Sequence, residues 1–288
     1  MNHLPFTKRV QIVQLLVEGA SLRSISRITG CSMNTISKTL IAVGTACKEF
    51  HDTHVVHVDA KRVECDEIWS FVYSKEKNVP EYMQQVGGAG SVWTWVGIDA
   101  QTKMVIDWHV GTREVGSAYA FMQGLAARLK SRVQLTTDGL KMYIEAVDFA
   151  FDGEIDYAQL VKQYGAYTQK KNQDMNTDAP NPERRYSPQK YAGAIKTIIS
   201  GRPDADFIST SYIERQNLTM RMSMRRFTRL TNAFSKKLEN HKHAISLYFV
   251  YYNFVRFHQT LKVTPAIKAK LARRIMSLDD LVRLAFPK

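Results

Sequence analysis

The stretch VECDEIWSFV, residues 63 to 72, constrains the fold more than any other. Val63, Cys65, Ile68, Trp69, Phe71 and Val72 suit a strand packed on both faces, in the interior of a sheet. Glu64, Asp66 and Glu67 stand in the same run. A buried carboxylate is costly unless a cation or hydrogen bonds offset it. The fold must therefore bring compensating groups to this strand. Glu64 and Asp66 share a strand face, so alternation alone does not choose which acid has a chemical role.

The segments that follow give an element order. SVWTWVGIDA (91–100) and KMVIDWHV (103–110) read as two strands joined by a short turn. GSAYAFMQGLAARLK (116–130) reads as a helix, and RVQLTTDG (132–139) as a short strand ending in Asp138. LKMYIEAVDFA (140–150) is the next helix and EIDYAQLV (154–161) the next strand. This order predicts an α/β unit with a mixed five-stranded sheet and flanking helices, three antiparallel strands feeding a parallel part. Ligands of open α/β sheets gather at strand ends near the switch point, where Asp66 and Asp138 can be neighbours. Residues 165–206 are polar and hold four of the eight prolines, which reads as a loop-rich insertion. Residues 209–237 read as one helix. Ser211 can cap it with Glu214 three residues on, as in a capping box; alternatively, Glu214 points from the first turn at the sheet edge. Arg221 follows two turns along the same face and Arg225 one turn further.

The first fifty residues read differently. Val10, Val13, Leu16 and Val17 recur at helical spacing, and Gly19 ends that helix. Ser21 caps a second helix with Leu22, Ile25 and Ile28 on its apolar face. Gly30 makes a tight turn, and Ser32 caps a third helix with Ile36 and Leu40 facing in. This is the pattern of a helix-turn-helix, with the third helix in the recognition position. Asn34, Ser37 and Lys38 face outward there and are the expected DNA contacts.

Charge supports a polyanionic partner. The net charge is +13, but its distribution is uneven. Residues 1–50 hold six Lys/Arg and two Asp/Glu, residues 51–214 hold 18 and 22, and residues 215–288 hold 16 and three. Two basic ends around an acidic middle suit a nucleic acid held at the ends and worked on in the middle. No run of about 18 apolar residues appears, so no membrane span is expected. The N-terminus has no apolar signal core, and the three cysteines are far apart and outside CxxC pairs. A reducing compartment is expected, cytoplasmic and nucleoid-associated, with no structural zinc site.

CDEIWSFV (65–72), TWVGIDAQTK (94–103), TTDG (136–139), STSYIERQNLTMRMSMRRFTRLTNAFSKK (209–237) and YYNFVRFHQTLKVTPA (251–266) resemble transposases of the insertion-sequence-one family. These belong to the DDE transposases, whose core is ribonuclease-H-like. The resemblance covers residues 60 to 266 with gaps. With the helix-turn-helix read from the first fifty residues, it divides the chain into that domain at 1–50, a linker at 51–62, a ribonuclease-H-like catalytic domain at 63–237 and a basic helical C-terminal region at 238–288. It also implies a three-carboxylate site, here Asp66, Asp138 and Glu214, separated by 72 and 76 residues. Those acids would hold Mg²⁺, for which Mn²⁺ can substitute. Arg221 matches a basic position two turns past the glutamate. With Arg225, Arg226 and Arg229 it is expected on DNA. The family often carries an N-terminal zinc finger, for which this chain lacks the cysteines.

The implied activity is cleavage of insertion-sequence ends at their 3′ sides and strand transfer into double-stranded target DNA, by a homodimer or larger assembly. Two other readings stay open: a non-catalytic DNA-binding regulator or domesticated relative, and a structure-specific nuclease of the same fold. Glu64 and Glu67 are expected to be hydrogen-bonded or surface-facing, Asp99 to form a turn, and Tyr143 and Trp69 to pack. Asp107 and His109 lie on a strand that flanks the site. His258, in the C-terminal motif, is a further DNA-contact candidate.

Overall fold

The computed structural model describes residues 4–164, 191–228 and 231–287. Three helices come first: α1 (Phe6–Val17), α2 (Leu22–Thr29) and α3 (Met33–His54). The serines fall where capping chemistry requires them. Ser21 Oγ accepts from the Ser24 backbone N–H and Ser32 Oγ from that of Thr35. Gly30 takes the left-handed conformation (φ 72°) that ends α2, at no cost for a residue without Cβ. Ile12, Ile25 and Ile36 form the small core shared by the three helices. Ile28, expected on the inner face of α2, is instead 56% exposed; from α2 Ile25 enters that core and Leu22 packs against it. α3 also runs past residue 50, so residues 51–54 of the expected linker are its last turn.

The sheet is the second layer. Its strands are β1 (Arg62–Val72), β2 (Gly90–Asp99), β3 (Val105–Gly111), β4 (Gln134–Thr137), β5 (Asp156–Tyr164) and β6 (Tyr191–Ser200). They lie in the order β3-β2-β1-β4-β5-β6. The β1–β2, β2–β3 and β5–β6 pairs are antiparallel, whereas β1–β4 and β4–β5 are parallel. The sheet is therefore mixed, as expected, but has six strands among the described residues and not five. The sixth comes from the segment read as an insertion. Its side chains are mostly exposed and alternate weakly, which hid it from a periodicity reading.

Helices α5 (Val115–Arg128) and α6 (Met142–Phe151) cover one face of the sheet, and a short α4 (Glu81–Val86) precedes β2. On that face Trp95 of β2 meets Tyr143 of α6 edge to face, with centroids 5.4 Å apart. The other face carries α7 (Ser211–Ser223) and α8 (Leu238–Val250), and Trp108 of β3 packs on Phe249 of α8. The single helix expected over 209–237 is thus shorter: α7 ends at Ser223, a one-turn 3₁₀ piece follows at Arg225–Phe227, and α8 starts only at Leu238. Met224 is extended (φ −121°, ψ 103°), and the chain breaks there so that Met224 and Phe227 can both turn into the core. The segment returns alongside β1, where the Tyr73 N–H donates to the Ser235 carbonyl.

The aromatic run at 243–258 accounts for the fully buried half of α8, from Ala244 to Val250. Asn253 lies just beyond it and donates to the Val105 carbonyl (2.8 Å) while accepting from the Val105 N–H (3.0 Å). One side chain thereby satisfies backbone groups at the β3 edge, as a neighbouring strand would. Helices α9 (Pro265–Lys268) and α10 (Leu278–Ala285) end the chain. α3 packs on α8, and α10 packs on α1 and α3. One continuous hydrophobic core runs from Val13 to Val282.

Candidate functional site

β1 and β4 are parallel neighbours, and β4 stops at Thr137, opposite Cys65. Asp138 follows at once, beside Asp66 and Glu67 of β1. Alternation sends Asp66 to the α7 face and Glu67 to the α5–α6 face. Beyond Thr137 no β4 backbone separates the two faces, and both side chains can approach Asp138. One carboxylate oxygen from each of Asp66, Glu67 and Asp138 lies within 4.8 Å of the others. Asp138 is held by its own turn, with Oδ1 accepting from the Leu140 N–H at 3.0 Å. Gly139 is needed there, because a Cβ would meet Val161 of β5 at 2.6 Å.

Glu214 arrives on α7. Glu64, 3% exposed, accepts from the Tyr212 N–H (2.7 Å) and the Ile213 N–H (3.0 Å) with its Oε2. A β1 carboxylate therefore anchors the first turn of the helix, where free N–H groups and the helix dipole favour negative charge. The expected Ser211 capping box is absent. The cap residue is Thr210, which makes no side-chain cap bond and instead donates from Oγ1 to Glu214 Oε1 at 2.8 Å. Glu214 Oε2 accepts from Lys162 Nζ of β5 at 2.5 Å. One turn on, the buried Asn217 donates from Nδ2 to Asp66 Oδ2 at 2.9 Å. Asp66, Asp138 and Glu214 line one cavity of about 310 Å³, with Gly139, Lys162 and Thr210 among its walls.

Burial and mutual repulsion dominate the electrostatics. Burial pushes the Asp66 carboxyl up to about 6, and the Asp138 charge adds to this. Glu67 is pushed further, to about 8, by burial and then by Asp138 and Asp66. Burial also raises Glu64, although its two backbone donors pull the other way. Arg113 lies 3.8 Å from Glu67 Oε2 and 3.9 Å from Asp138 Oδ2, over the Trp93 ring.

The acids fit a hard divalent cation, which takes carboxylate oxygens. The fit is visible in Glu67, whose buried Oε1 has no hydrogen-bond partner among the described residues. Buried carboxylate oxygens are rarely left so.

The other expected contacts scatter. Asn34 and Lys38 are exposed on the first turns of α3, and Ser37 is half-buried. Arg221 is half-buried in the last turn of α7, while Arg225 is exposed on the short turn after it, off the Glu214 stripe. Arg226 turns inward and donates to Ser235 Oγ, and burial lowers its pKa to about 10. Arg229 lies outside the described residues. Asp99 forms its turn, accepting from the Gln101 and Thr102 N–H groups. Asp107 is tied to Arg128 (3.1 Å), and Tyr143 is core. His258 Nδ1 accepts from the Leu261 N–H within its own turn.

Glu64 is hydrogen-bonded, as expected, but Glu67 is neither surface-facing nor hydrogen-bonded through its Oε1 among the described residues, and sequence reasoning passed over the anchoring role of Glu64 and over Lys162, Asn217 and Arg113. Glu64 offered one signal, a buried acid two residues before Asp66. The others have partners 25 to 151 positions away or in another element, which no local pattern reports.

No family model matches the chain, and no curated protein does. Among solved structures it is similar to a chain of the Mos1 transposase paired-end complex with left transposon end, at 13% identity and a TM-score of 0.24. That match covers 55% of this chain and 60% of the other, so this chain spans less than two thirds of that one. It is similar to a chain of the piggyBac transposase synaptic complex with hairpin DNA, at 10% identity and a TM-score of 0.45, over 97% of this chain and 69% of that one. It is similar to a chain of the Mos1 strand transfer complex, at 13% identity and a TM-score of 0.24, over 86% and 78%. Overlaps this low extend to neither activity nor substrate.

Proposed function

We propose that the protein is a metal-dependent DNA transposase of the DDE type, related to the insertion-sequence-one transposases. The observation that carries this reading is the cavity shared by Asp66, Asp138 and Glu214, which come from β1, the end of β4 and the first turn of α7. The segments holding these acids are those whose sequence resembles that family.

In this reading Asp66, Asp138 and Glu214 would hold two divalent cations, which would supply Lewis acidity for attack on a phosphodiester and departure of its leaving oxygen. Asn217 fixes the Asp66 carboxylate, and Glu64 fixes the helix that carries Glu214. Lys162 and Arg113 place positive charge at the cavity, where a phosphate must approach a group of acids. Water attacks phosphorus at the element end, and the 3′-oxygen leaves as a hydroxyl. That hydroxyl then attacks a phosphodiester of target DNA, with departure of a target 3′-oxygen.

The three N-terminal helices form the helix-turn-helix that binds the element ends, through Asn34, Ser37 and Lys38 on α3. Arg221 and Arg225 extend the contact, together with Arg229. Cutting two ends in concert requires a homodimer or larger assembly, acting in the cytoplasm at the nucleoid.

The test is cleavage and joining of element-end DNA with Mg²⁺. D66N and D138N are expected to reduce both steps to background while binding of end DNA persists. Cleavage without joining by the parent protein would assign a nuclease instead. Tight DNA binding with no Mg²⁺-dependent nicking on any end would assign a regulator.

A further inference from the structure

We propose that Glu67 is a ligand of the divalent cation, so that one ion is held among Asp66, Glu67 and Asp138. The inference rests on the catalytic reading above and extends it to a residue outside the three acids of that reading. Its first support is the 4.8 Å grouping, which joins Glu67 to Asp66 and Asp138.

The second support is independent of the grouping. Glu67 is 7% exposed, and its Oε1 has no hydrogen-bond partner among the described residues. Its Oε2 faces Arg113 at 3.8 Å, too far for a hydrogen bond. A carboxylate so placed is costly unless something else completes it, because an unsatisfied buried charge loses its full hydration. The guanidinium offsets part of the charge of Glu67 and Asp138 but satisfies no lone pair of Glu67. A cation bound between the oxygens would do both.

The third support is the strand geometry. Asp66 and Glu67 leave β1 on opposite faces, and Asp138 caps the end of the neighbouring strand. The three carboxylates thus converge from different sides, as an oxygen coordination shell requires. The residue after Asp66 is then a ligand because β4 ends one position early, opposite Cys65.

The experiment is Mn²⁺ binding to the full chain without DNA, followed by the electron paramagnetic resonance of free Mn²⁺. Glu67→Gln is expected to weaken binding about tenfold or more, as Asp66→Asn and Asp138→Asn also should. Arg113→Gln is expected to tighten it, because the guanidinium competes with the ion for the same charge. Glu67→Asp keeps the charge but shortens the reach and should weaken binding less than Glu67→Gln; it carries the test if the glutamine variant does not fold. Unchanged Mn²⁺ affinity in the Glu67 variants, alongside weak binding in Asp66→Asn and Asp138→Asn, would overturn the assignment of Glu67 and leave the catalytic reading standing. Unchanged affinity in all of these acid variants would overturn both.

Discussion

Asp66 and Glu67 are neighbours with opposite surroundings. Asp66 has a donor in Asn217, whereas the buried oxygen of Glu67 has none among the described residues. Both carboxyls are raised, to about 6 and about 8, chiefly by burial. The unfolded chain releases these protons at ordinary carboxyl pKa values, so it binds fewer protons than the fold between those values and the raised ones. The contribution of both acids to stability therefore falls as pH rises through that window, to about 6 for Asp66 and about 8 for Glu67. A bound cation offsets the same charge. The increase in thermal midpoint on adding Mg²⁺ is accordingly expected to be larger near pH 8 than near pH 5. Midpoints with and without Mg²⁺ at both pH values check this, and an equal increase at both would contradict it. The buried histidines His51 and His241, lowered by burial to about 4 and about 3, change stability below the ordinary histidine value equally with and without Mg²⁺, and so cancel in the difference.

At the scale of elements, the site depends on where α7 begins. That start is set by Glu64, 148 residues earlier in the chain from Tyr212, and not by a local cap. Glu64→Ala leaves the Tyr212 and Ile213 N–H groups without their acceptor, a cost of about 1–3 kcal/mol for a buried donor such as that of Ile213. Hydrogen exchange should report it as lost protection in the first turn of α7. Glu64→Gln keeps an acceptor oxygen and should spare most of that protection. In the catalytic reading both variants retain DNA binding, and Glu64→Ala loses cleavage because Glu214 is no longer positioned. Protection at Tyr212 and Ile213 that survives Glu64→Ala would show that the helix start is held by something else. The break at Met224 belongs to the same scale. Nothing in the local pattern of residues 209–237 marks a stop at Ser223, and α7 ends there because Met224 and Phe227 enter the core.

At the scale of the molecule, the N-terminal helices and the C-terminal region share one core. α3 crosses α8 at Gly44, where an added Cβ would meet His243 Cβ, carbonyl oxygen and Cα at 2.5–2.7 Å. Gly44→Ala must push the helices apart, and overpacking of this kind costs about 1–3 kcal/mol. A lower thermal midpoint with the sheet core still protected in hydrogen exchange is the expected outcome. The charge asymmetry makes a separate prediction at this scale. DNA binding should weaken steeply with salt. Lys38→Gln and Arg225→Gln should each reduce the slope of log K against log salt by about one if each touches a phosphate. Equal slopes in parent and variants would remove those residues from the interface.

Much of this was readable from the chain alone, wherever the physics is local. Helix caps at Ser21 and Ser32, the Gly30 turn, strands β1 to β5 and the inward Tyr143 follow from propensity, periodicity and turn chemistry within a few residues. Alternation also stated the problem of VECDEIWSFV, three acids in a buried strand, without choosing among them. The choice needed partners distant in sequence. Glu64 is an anchor because α7 folds back onto β1, and Glu67 reaches Asp138 because β4 ends at Thr137. The exposed edge strand β6 and the end of α7 at Ser223 likewise depend on what packs against each segment. Hydrophobic spacing is a property of the chain and can be read along it. The environment of a buried charge is set by whatever the fold brings within a few ångströms, and only the tertiary structure decides that.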